Sequence, residues 1–388
     1  MIEIKSLKEI ASLIRTGKTP PTKEEKYFNG EINWYSPGDL DKTKYLFTAK
    51  RTITQQAIED KKAITFPKDT LLVGCIGDIG KLGITSELSS SNQQLTGILP
   101  NDETNVSYLY YWFKGNKKVL ENYSNNAVVP ILNNRTLETV KIPLPPLDQQ
   151  KKIASILDSA DAYRQKTKAL IEKYDELTQS LFLDMFGDPV SNPKGWEVNF
   201  LKQITTKIGS GATPRGGKQA YKKEGISLIR SMNVYDNRFK YKNLAFIDEV
   251  QAAKLKNVIV EKGDVLFNIT GASICRSSVV PDDVLPARVN QHVSILRPIQ
   301  SIITSKFLSR FLISENVKTK LLGVGSGGGA VMEAITKEQL QSIEVIKPPL
   351  ELQNEFSKRV QAIEAQKAQV QASLAQAEDL FNSLLQRA

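Results

Sequence analysis

Polar side chains of the same kinds recur twice along the chain, at points where an apolar strand is expected to begin or end. Asn92-Gln93-Gln94 precedes Leu95, and Asn290-Gln291-His292 precedes Val293. Ser36 and Asp39 follow Ile32-Asn33-Trp34-Tyr35, and 194 residues further on Arg230, Ser231 and Asn233 follow Ile226-Ser227-Leu228-Ile229. Asn and Gln amides match the edge of adenine, and an Arg guanidinium matches that of guanine, so the chemistry these residues support is base reading in a major groove. A second reading stands beside it. Asp and Asn also form turns, and loop amides also bond loop backbone. Gly17-Lys18-Thr19-Pro20 and Gly211-x-Thr213-Pro214-Arg215 share the same 194-residue offset. Glycine frees the backbone and proline extends the residue before it, which is turn chemistry. The basic flanks, Lys18 and Arg215 among them, point to phosphate contacts. Two glycine-containing runs ending in a cation, at Lys81 and at Arg276, complete the candidate set.

Other chemistries fit poorly. The single histidine, His292, nearly excludes His-based triads and His-rich metal sites. Gly74 to Lys81 has the wrong spacing for a phosphate loop, and Leu82 stands where that loop needs Ser or Thr. Gly323-x-Gly325-x-x-Gly328 follows an expected helix rather than a strand, so it is not a dinucleotide fingerprint. Asp282-Asp283 is the nearest approach to the carboxylate cluster a nuclease needs, and no Asn/Asp-Pro-Pro-aromatic motif of an adenine methyltransferase occurs. Two readings remain against the base-reading one: a modifying enzyme or nuclease with a concealed site, and a coiled-coil scaffold unrelated to DNA.

The 388 residues carry a formal charge of +10, which favours a polyanionic partner. The two cysteines lie in different repeats, which fits a reducing cytoplasm, and no apolar run suggests a membrane span.

What positions the polar groups is a repeat. From Pro145 to Pro189 the chain reads as one helix of about 40 residues, roughly 60 Å long, bounded by Pro145-Pro146 and by Gly187 with Pro189. One apolar row, Ile153, Ala160, Thr167, Tyr174 and Leu181, runs in heptads, and the second row is expected at Ile156, Tyr163, Leu170 and Leu177. Residues 348–388 repeat the pattern 203 positions later, with Phe356, Ile363, Val370, Ala377 and Leu384 in the first row. Its second row at Arg359, Gln366, Ser373 and Leu380 is poorer, and Val360, Leu374 and Phe381 on the adjacent position compensate. The expected division is therefore a globular segment 1–144, a long helix 145–187, a globular segment 188–347 and a second long helix 348–388.

Pro-Pro-Leu-acidic-x-Gln at the head of each helix, and Met185-Phe186-Gly187-Asp188-Pro189 continuing to Asn192-Pro193-Lys194-Gly195-Trp196 between the repeats, resemble the specificity subunit of type I restriction–modification systems over the whole chain. The resemblance implies two tandem α/β (α+β) target recognition domains, separated by helices forming an antiparallel coiled coil about a pseudo-two-fold axis. It implies a non-catalytic subunit that reads double-stranded DNA at a bipartite, asymmetric site with an unread spacer. It implies two methyltransferase subunits and restriction subunits as partners. S-adenosylmethionine, ATP and Mg²⁺ are then expected on those partners, with no cofactor or metal on this chain.

Overall fold

The computed structural model describes residues 2–124, 129–214, 216–325 and 334–387. The chain divides into two compact units: Met1–Ala169 with Gln371–Ala388, and Leu170–Val370. The units do not follow the four sequence segments. Each contains one globular segment and one half of each long helix.

The two units are built alike. In the first, a five-stranded sheet runs in the order Ala11–Thr16, Leu95–Pro100, Leu71–Gly74, Leu82–Thr85, Tyr45–Leu46. In the second, Thr205–Ser210, Val293–Pro298, Val265–Asn268 and Ser277–Val279 keep the same order. A further four-stranded sheet accompanies each, with one parallel pairing: Phe28–Tyr35 beside Ser89–Ser91, and Ile226–Ile229 beside Ala287–Val289. A two-stranded ribbon closes each unit, Glu3–Ser6 on Lys141–Leu144 and Glu197–Phe200 on Glu344–Lys347. The helices Val106–Gly115 and Ser305–Ile313 cover the main sheets with buried aromatic and leucine side chains. The fold is thus α/β, in tandem, with two long helices.

Those helices span Leu147–Phe186 and Leu350–Arg387. Each begins on a buried amide. Gln150, fully buried, accepts from the Asn105 N–H at 2.8 Å and donates to the carbonyls of Glu103 at 2.9 Å and Pro145 at 2.8 Å. Gln353 accepts from the Thr304 N–H at 2.8 Å and donates to Ile302 at 3.1 Å and Pro348 at 2.8 Å. The final Gln of the Pro-Pro-Leu-acidic-x-Gln motif therefore ties each helix to the turn that starts the helix covering the sheet. The motif between the repeats is a helix stop. Gly187 takes φ +78°, Lys194 donates to the carbonyls of Asp184 at 2.6 Å and Met185 at 3.1 Å, and the Trp196 indole donates to that of Phe186 at 2.8 Å. Side chains thereby satisfy carbonyls that a helix end leaves open.

The helices run antiparallel within each unit. In the first, the Arg164 guanidinium lies 4.3 Å from the Phe381 ring centroid, and Lys168 pairs with Glu378 at 2.9 Å. In the second, Asp175 pairs with Lys367 at 2.5 Å, and Phe182 packs edge-on to Phe356 at 5.6 Å. Phe381, Leu385 and Leu157 belong to the core under the first main sheet; Phe356, Val360, Phe182 and Phe186 belong to that of the second. On the C-terminal helix, Phe356, Val360, Ala377 and Phe381 are buried and Ile363, Val370, Leu374 and Leu384 half-buried.

The second row expected on the first helix is elsewhere. Ile156, Tyr163, Leu170 and Leu177 are 47, 56, 44 and 50% exposed. The row that turns inward with Ile153, Ala160, Thr167, Tyr174 and Leu181 is Leu157, Arg164, Ile171, Thr178 and Met185. It lies four residues beyond the first row, not three. The two polar members are accommodated: Arg164 lays its guanidinium on Phe381 and pairs with Asp161, and the Thr178 hydroxyl donates to the Tyr174 carbonyl at 2.9 Å. Leu157→Ala is accordingly expected to destabilise the protein by about 2–5 kcal/mol, whereas Leu170→Ser changes stability by less than about 0.5 kcal/mol. Chemical denaturation of the two variants checks the assignment, and equal losses would contradict it.

Candidate nucleic-acid interface

In each unit the polar residues singled out in the sequence converge on one loop rim. Gly17 N–H donates to Leu95 O at 2.9 Å and Lys18 N–H to Ser91 O at 2.9 Å; Gly211 N–H donates to Asn290 O at 3.1 Å. Across this seam the Thr19 hydroxyl donates to Gln93 Oε1, and the Thr213 hydroxyl donates to Gln291 Oε1 at 2.5 Å. The glycines are needed for close approach rather than for backbone freedom. A Cβ on Gly17 would fall 2.3 Å from Asn92 O, and one on Gly211 would fall 1.7 Å from Val289 O.

The strand exits join the same rim. Asn92 N–H donates to Tyr35 O and Asn290 N–H to Ile229 O, both at 3.0 Å, which brings Ser36 and Arg230 beside the Asn-Gln loops. The loops that follow the central strands join it too. Cys75 N–H donates to Gln94 O at 2.8 Å, and Ile269 N–H to His292 O at 3.0 Å. Lys81 ends the first of these loops, paired with Asp78 at 2.8 Å.

Not every candidate presents its polar group outward. Asn92 and Asn290 are 8 and 4% exposed. Their Oδ1 atoms accept from the N–H two residues on, Gln94 and His292, each at 3.1 Å. Asp39 is buried and accepts from the Ser36 N–H at 2.9 Å and hydroxyl at 2.7 Å; Asn233, fully buried, accepts from the Arg230 N–H at 3.1 Å and donates to Lys240 O at 2.8 Å. In these four, hydrogen-bonding groups close their own loops. Ser231, half-buried, accepts at its carbonyl from Asn268 at 2.9 Å. Arg230 donates to Asn243 O and lies 5.2 Å from the Tyr221 ring centroid. His292 Nδ1 lies 2.6 Å from the Thr270 hydroxyl and its Nε2 3.1 Å from the Gln291 amide. Gln93, Gln291 and Lys18 are exposed at the rim, with Thr19, Thr213, Gln94 and His292 half-buried beside them; Lys18 Nζ donates to Lys61 O at 2.6 Å. Arg215 and the glycine-rich stretch 326–329 lie outside the described residues.

The hairpin of Val234–Tyr235 and Arg238–Phe239 carries groups the sequence reading missed. The Arg276 guanidinium lies 4.5 Å from the Tyr235 ring centroid, Arg238 at 5.3 Å and the Lys240 ammonium at 5.1 Å. The Lys240 hydrogen bond and charge hold the Tyr235 phenol below its ordinary range. The alternation Tyr235-x-x-Arg238-x-Lys240 is the sequence signal, since cations interleaved with an aromatic side chain suit a nucleic-acid surface. The carboxylates considered for metal chemistry are engaged otherwise: Asp282 pairs with Lys262 at 2.6 Å, and Asp283 accepts from the Tyr241 hydroxyl at 3.0 Å.

The structure is a duplicated α/β unit with a polar, cation-flanked rim, each copy built onto long paired helices. The chain belongs to the family described as the type I restriction modification DNA specificity domain, whose model matches residues 2–174 and 193–378. It is 26% identical over 387 residues to the type I restriction enzyme MjaIX specificity subunit of Methanocaldococcus jannaschii, covering 93% of this chain and 86% of that one. It is 27% identical over 356 residues to the EcoBI specificity subunit of Escherichia coli, covering 83% and 73%. Among solved structures, the S subunit of the type I system of M. genitalium superimposes with a TM-score of 0.59 at 16% identity, covering 100% of this chain and 95% of that one. A chain from a study of complex assembly and conformational transition of the type I system gives 0.63 at 18%, covering 99% and 96%. At these identities the structural likeness concerns the fold.

Gln291→Ala is expected to leave the fold intact and to reduce discrimination between cognate and random duplex by about 1–3 kcal/mol. Asn290→Ala is expected instead to lower the melting temperature, since it opens a buried turn. Binding titrations and thermal denaturation on both variants separate reader from loop support, and an undiminished discrimination ratio for Gln291→Ala would remove it from the reading set.

Proposed function

We propose that this chain is the non-catalytic specificity subunit of a cytoplasmic type I restriction–modification complex. It reads two different half-sites on double-stranded DNA, separated by an unread spacer, and recruits two methyltransferase subunits together with restriction subunits. One observation carries the reading: the rim occurs twice with the same Gly-x-Thr-Pro to Asn-Gln tie but with different exposed groups around it. An identical scaffold with divergent side chains is what reading two unlike half-sites requires. S-adenosylmethionine, ATP and Mg²⁺ belong on the partner subunits in this reading. The direct test is co-expression with the companion methyltransferase, followed by mapping of methylated adenines. A bipartite motif with two unlike halves is expected, and methylation without sequence preference would refute the reading.

The exposed row Ile156, Tyr163, Leu170 and Leu177 supports the recruiting role. Four large apolar side chains at heptad spacing on one helix face suit a helical partner segment. Tyr163→Glu with Leu170→Glu is expected to abolish co-purification of the methyltransferase subunit while leaving the melting temperature of this chain within a few degrees. Retention of the partner at wild-type stoichiometry would exclude that face.

The helices act in this reading as the ruler between half-sites. Seven residues inserted between Ala169 and Leu170, and seven between Val370 and Gln371, preserve the heptad phase and add about 10 Å at 1.5 Å per residue. At about 3.4 Å per base pair, the spacer of the methylated motif is expected to grow by roughly three base pairs. Those three base pairs also rotate one half-site by about 100°, so activity should fall at the same time. An active insertion variant with an unchanged spacer would show that the helices do not set the distance.

A further inference from the structure

The two rims are braced alike and differ in one pair of side chains. In the second unit Ile269 N–H donates to His292 O at 3.0 Å and Ile335 N–H to Ile269 O at 2.8 Å. In the first, Cys75 N–H donates to Gln94 O and Leu132 N–H to Cys75 O, both at 2.8 Å. The residue that follows is Thr270 in one and Ile76 in the other, each in an antiparallel bridge, to Ala334 and to Ile131. A hydroxyl and an imidazole thus stand together where the first unit has isoleucine and glutamine. Gln94 Oε1 accepts from Asn92 Nδ2 at 2.9 Å. His292 instead joins Thr270 to Gln291.

The first hydrogen bond in this chain of four side chains sets the direction of the others. Gln291 Oε1 accepts from the Thr213 hydroxyl at 2.5 Å, so the end of the amide turned to His292 is its nitrogen, 3.1 Å from the ring Nε2. An amide nitrogen only donates, and a neutral imidazole carries its proton on one nitrogen. Nε2 is therefore the bare, accepting nitrogen. The ring proton sits on Nδ1 and donates to the Thr270 hydroxyl, 2.6 Å away. The exposed Gln291 amide is held at both ends, with one N–H and one oxygen lone pair left over. A donor beside an acceptor is what the edge of adenine takes. In the first rim the Thr19 hydroxyl donates to Gln93 Oε1 in the same way, but among the described residues no bond holds the Gln93 nitrogen.

We propose that His292 is a positioning residue for base reading by the second unit. Its bare Nε2 fixes which end of the Gln291 amide donates and which accepts, and only the second unit loses its reader when the ring takes a second proton. The proposal rests on the DNA-reading function above. A proton on Nε2 sets two donors face to face. The amide then turns over, oxygen to the ring and nitrogen to the Thr213 hydroxyl oxygen, and the donor and acceptor offered to the base exchange places. Binding of the cognate base therefore opposes protonation: reading is complete at high pH and is lost as pH falls. Imidazole is the side chain that changes charge between about pH 5 and 8. The charged groups on the elements around the ring are Arg230 and Arg276, whose guanidiniums lie 5.2 Å from the Tyr221 and 4.5 Å from the Tyr235 ring centroids. Among the described residues no carboxylate bonds either ring nitrogen. Arg215 and Glu333, on the adjoining segments, lie outside those residues.

The test uses the complex of this chain with its methyltransferase partner and duplexes altered in one half-site at a time. The loss caused by Gln291→Ala shows which half-site the second unit reads. Between about pH 8 and about pH 5.5, preference for the intact over the altered form of that half-site is expected to fall by about tenfold, the weight of one bidentate contact. Preference at the other half-site should not change. His292→Gln installs the side chain of the first unit, which does not titrate, and is expected to abolish the pH dependence. His292 is the only histidine of the chain. Nitrogen-15 histidine in this chain alone therefore gives the resonances of one ring, and at high pH they should place the proton on Nδ1. A proton on Nε2, a second half-site preference that is flat with pH, or a fall undiminished in His292→Gln would each overturn the positioning role alone. A wild-type complex that shows no preference for any duplex at high pH would overturn the DNA-reading function from which it starts.

Discussion

One buried amide at the head of each long helix fixes where everything else stands. Gln150 and Gln353 each close a three-way bond among the first turn of a long helix, the preceding proline and the turn that begins the helix over the main sheet. Both are fully buried, so every hydrogen-bonding group they leave would be orphaned without them, and an orphaned buried group costs about 1–3 kcal/mol. An apolar residue of the same size would fill the space and leave the helix free to slide. The amide makes the join directional, and the rim of each unit inherits a fixed orientation with respect to its helix.

The same logic governs the rim. Its buried members, Asn92, Asn290, Asp39 and Asn233, hold turns, and the exposed members, Gln93 and Gln291 with their neighbours, are held by them. The scaffold residues are alike in the two copies because the turns they close are alike. The residues around them differ: Gln94 corresponds to His292 in the repeat, and Lys81 to Arg276. Division of labour between loop support and surface lets the outer groups change without unfolding the loop.

Much of this was legible in the residues. Proline pairs headed both long helices, Gly187 with Pro189 stopped the first, and the repeat placed the candidate polar groups at matching strand ends. The second seam row was misread because the first helix is ambiguous there. Ile156 and Leu157 are both apolar, as are Leu170 and Ile171, while Tyr163 and Leu177 look more apolar than the Arg164 and Thr178 that in fact turn inward. The C-terminal copy held the answer, because Val360, Leu374 and Phe381 occupy the register that the first helix shares. Burial of Asn against Gln in one short loop has no sequence signature at all. It depends on which side chain can reach the amide two residues on. Nor could the hairpin cations be placed, since Arg276 meets Tyr235 only after the hairpin docks beside Ser277, where the Asn237 N–H donates to the Ser277 carbonyl at 2.8 Å.

The first unit is completed by Gln371–Ala388, and Phe381 and Leu385 sit in its core. During synthesis the ribosome therefore delivers the segment that completes the first unit only after all of the second has emerged. Until then the nascent first unit displays the unfilled slot for Phe381 beside Tyr111 and Arg164. A chain broken before Gln371 would damage the unit that is made first.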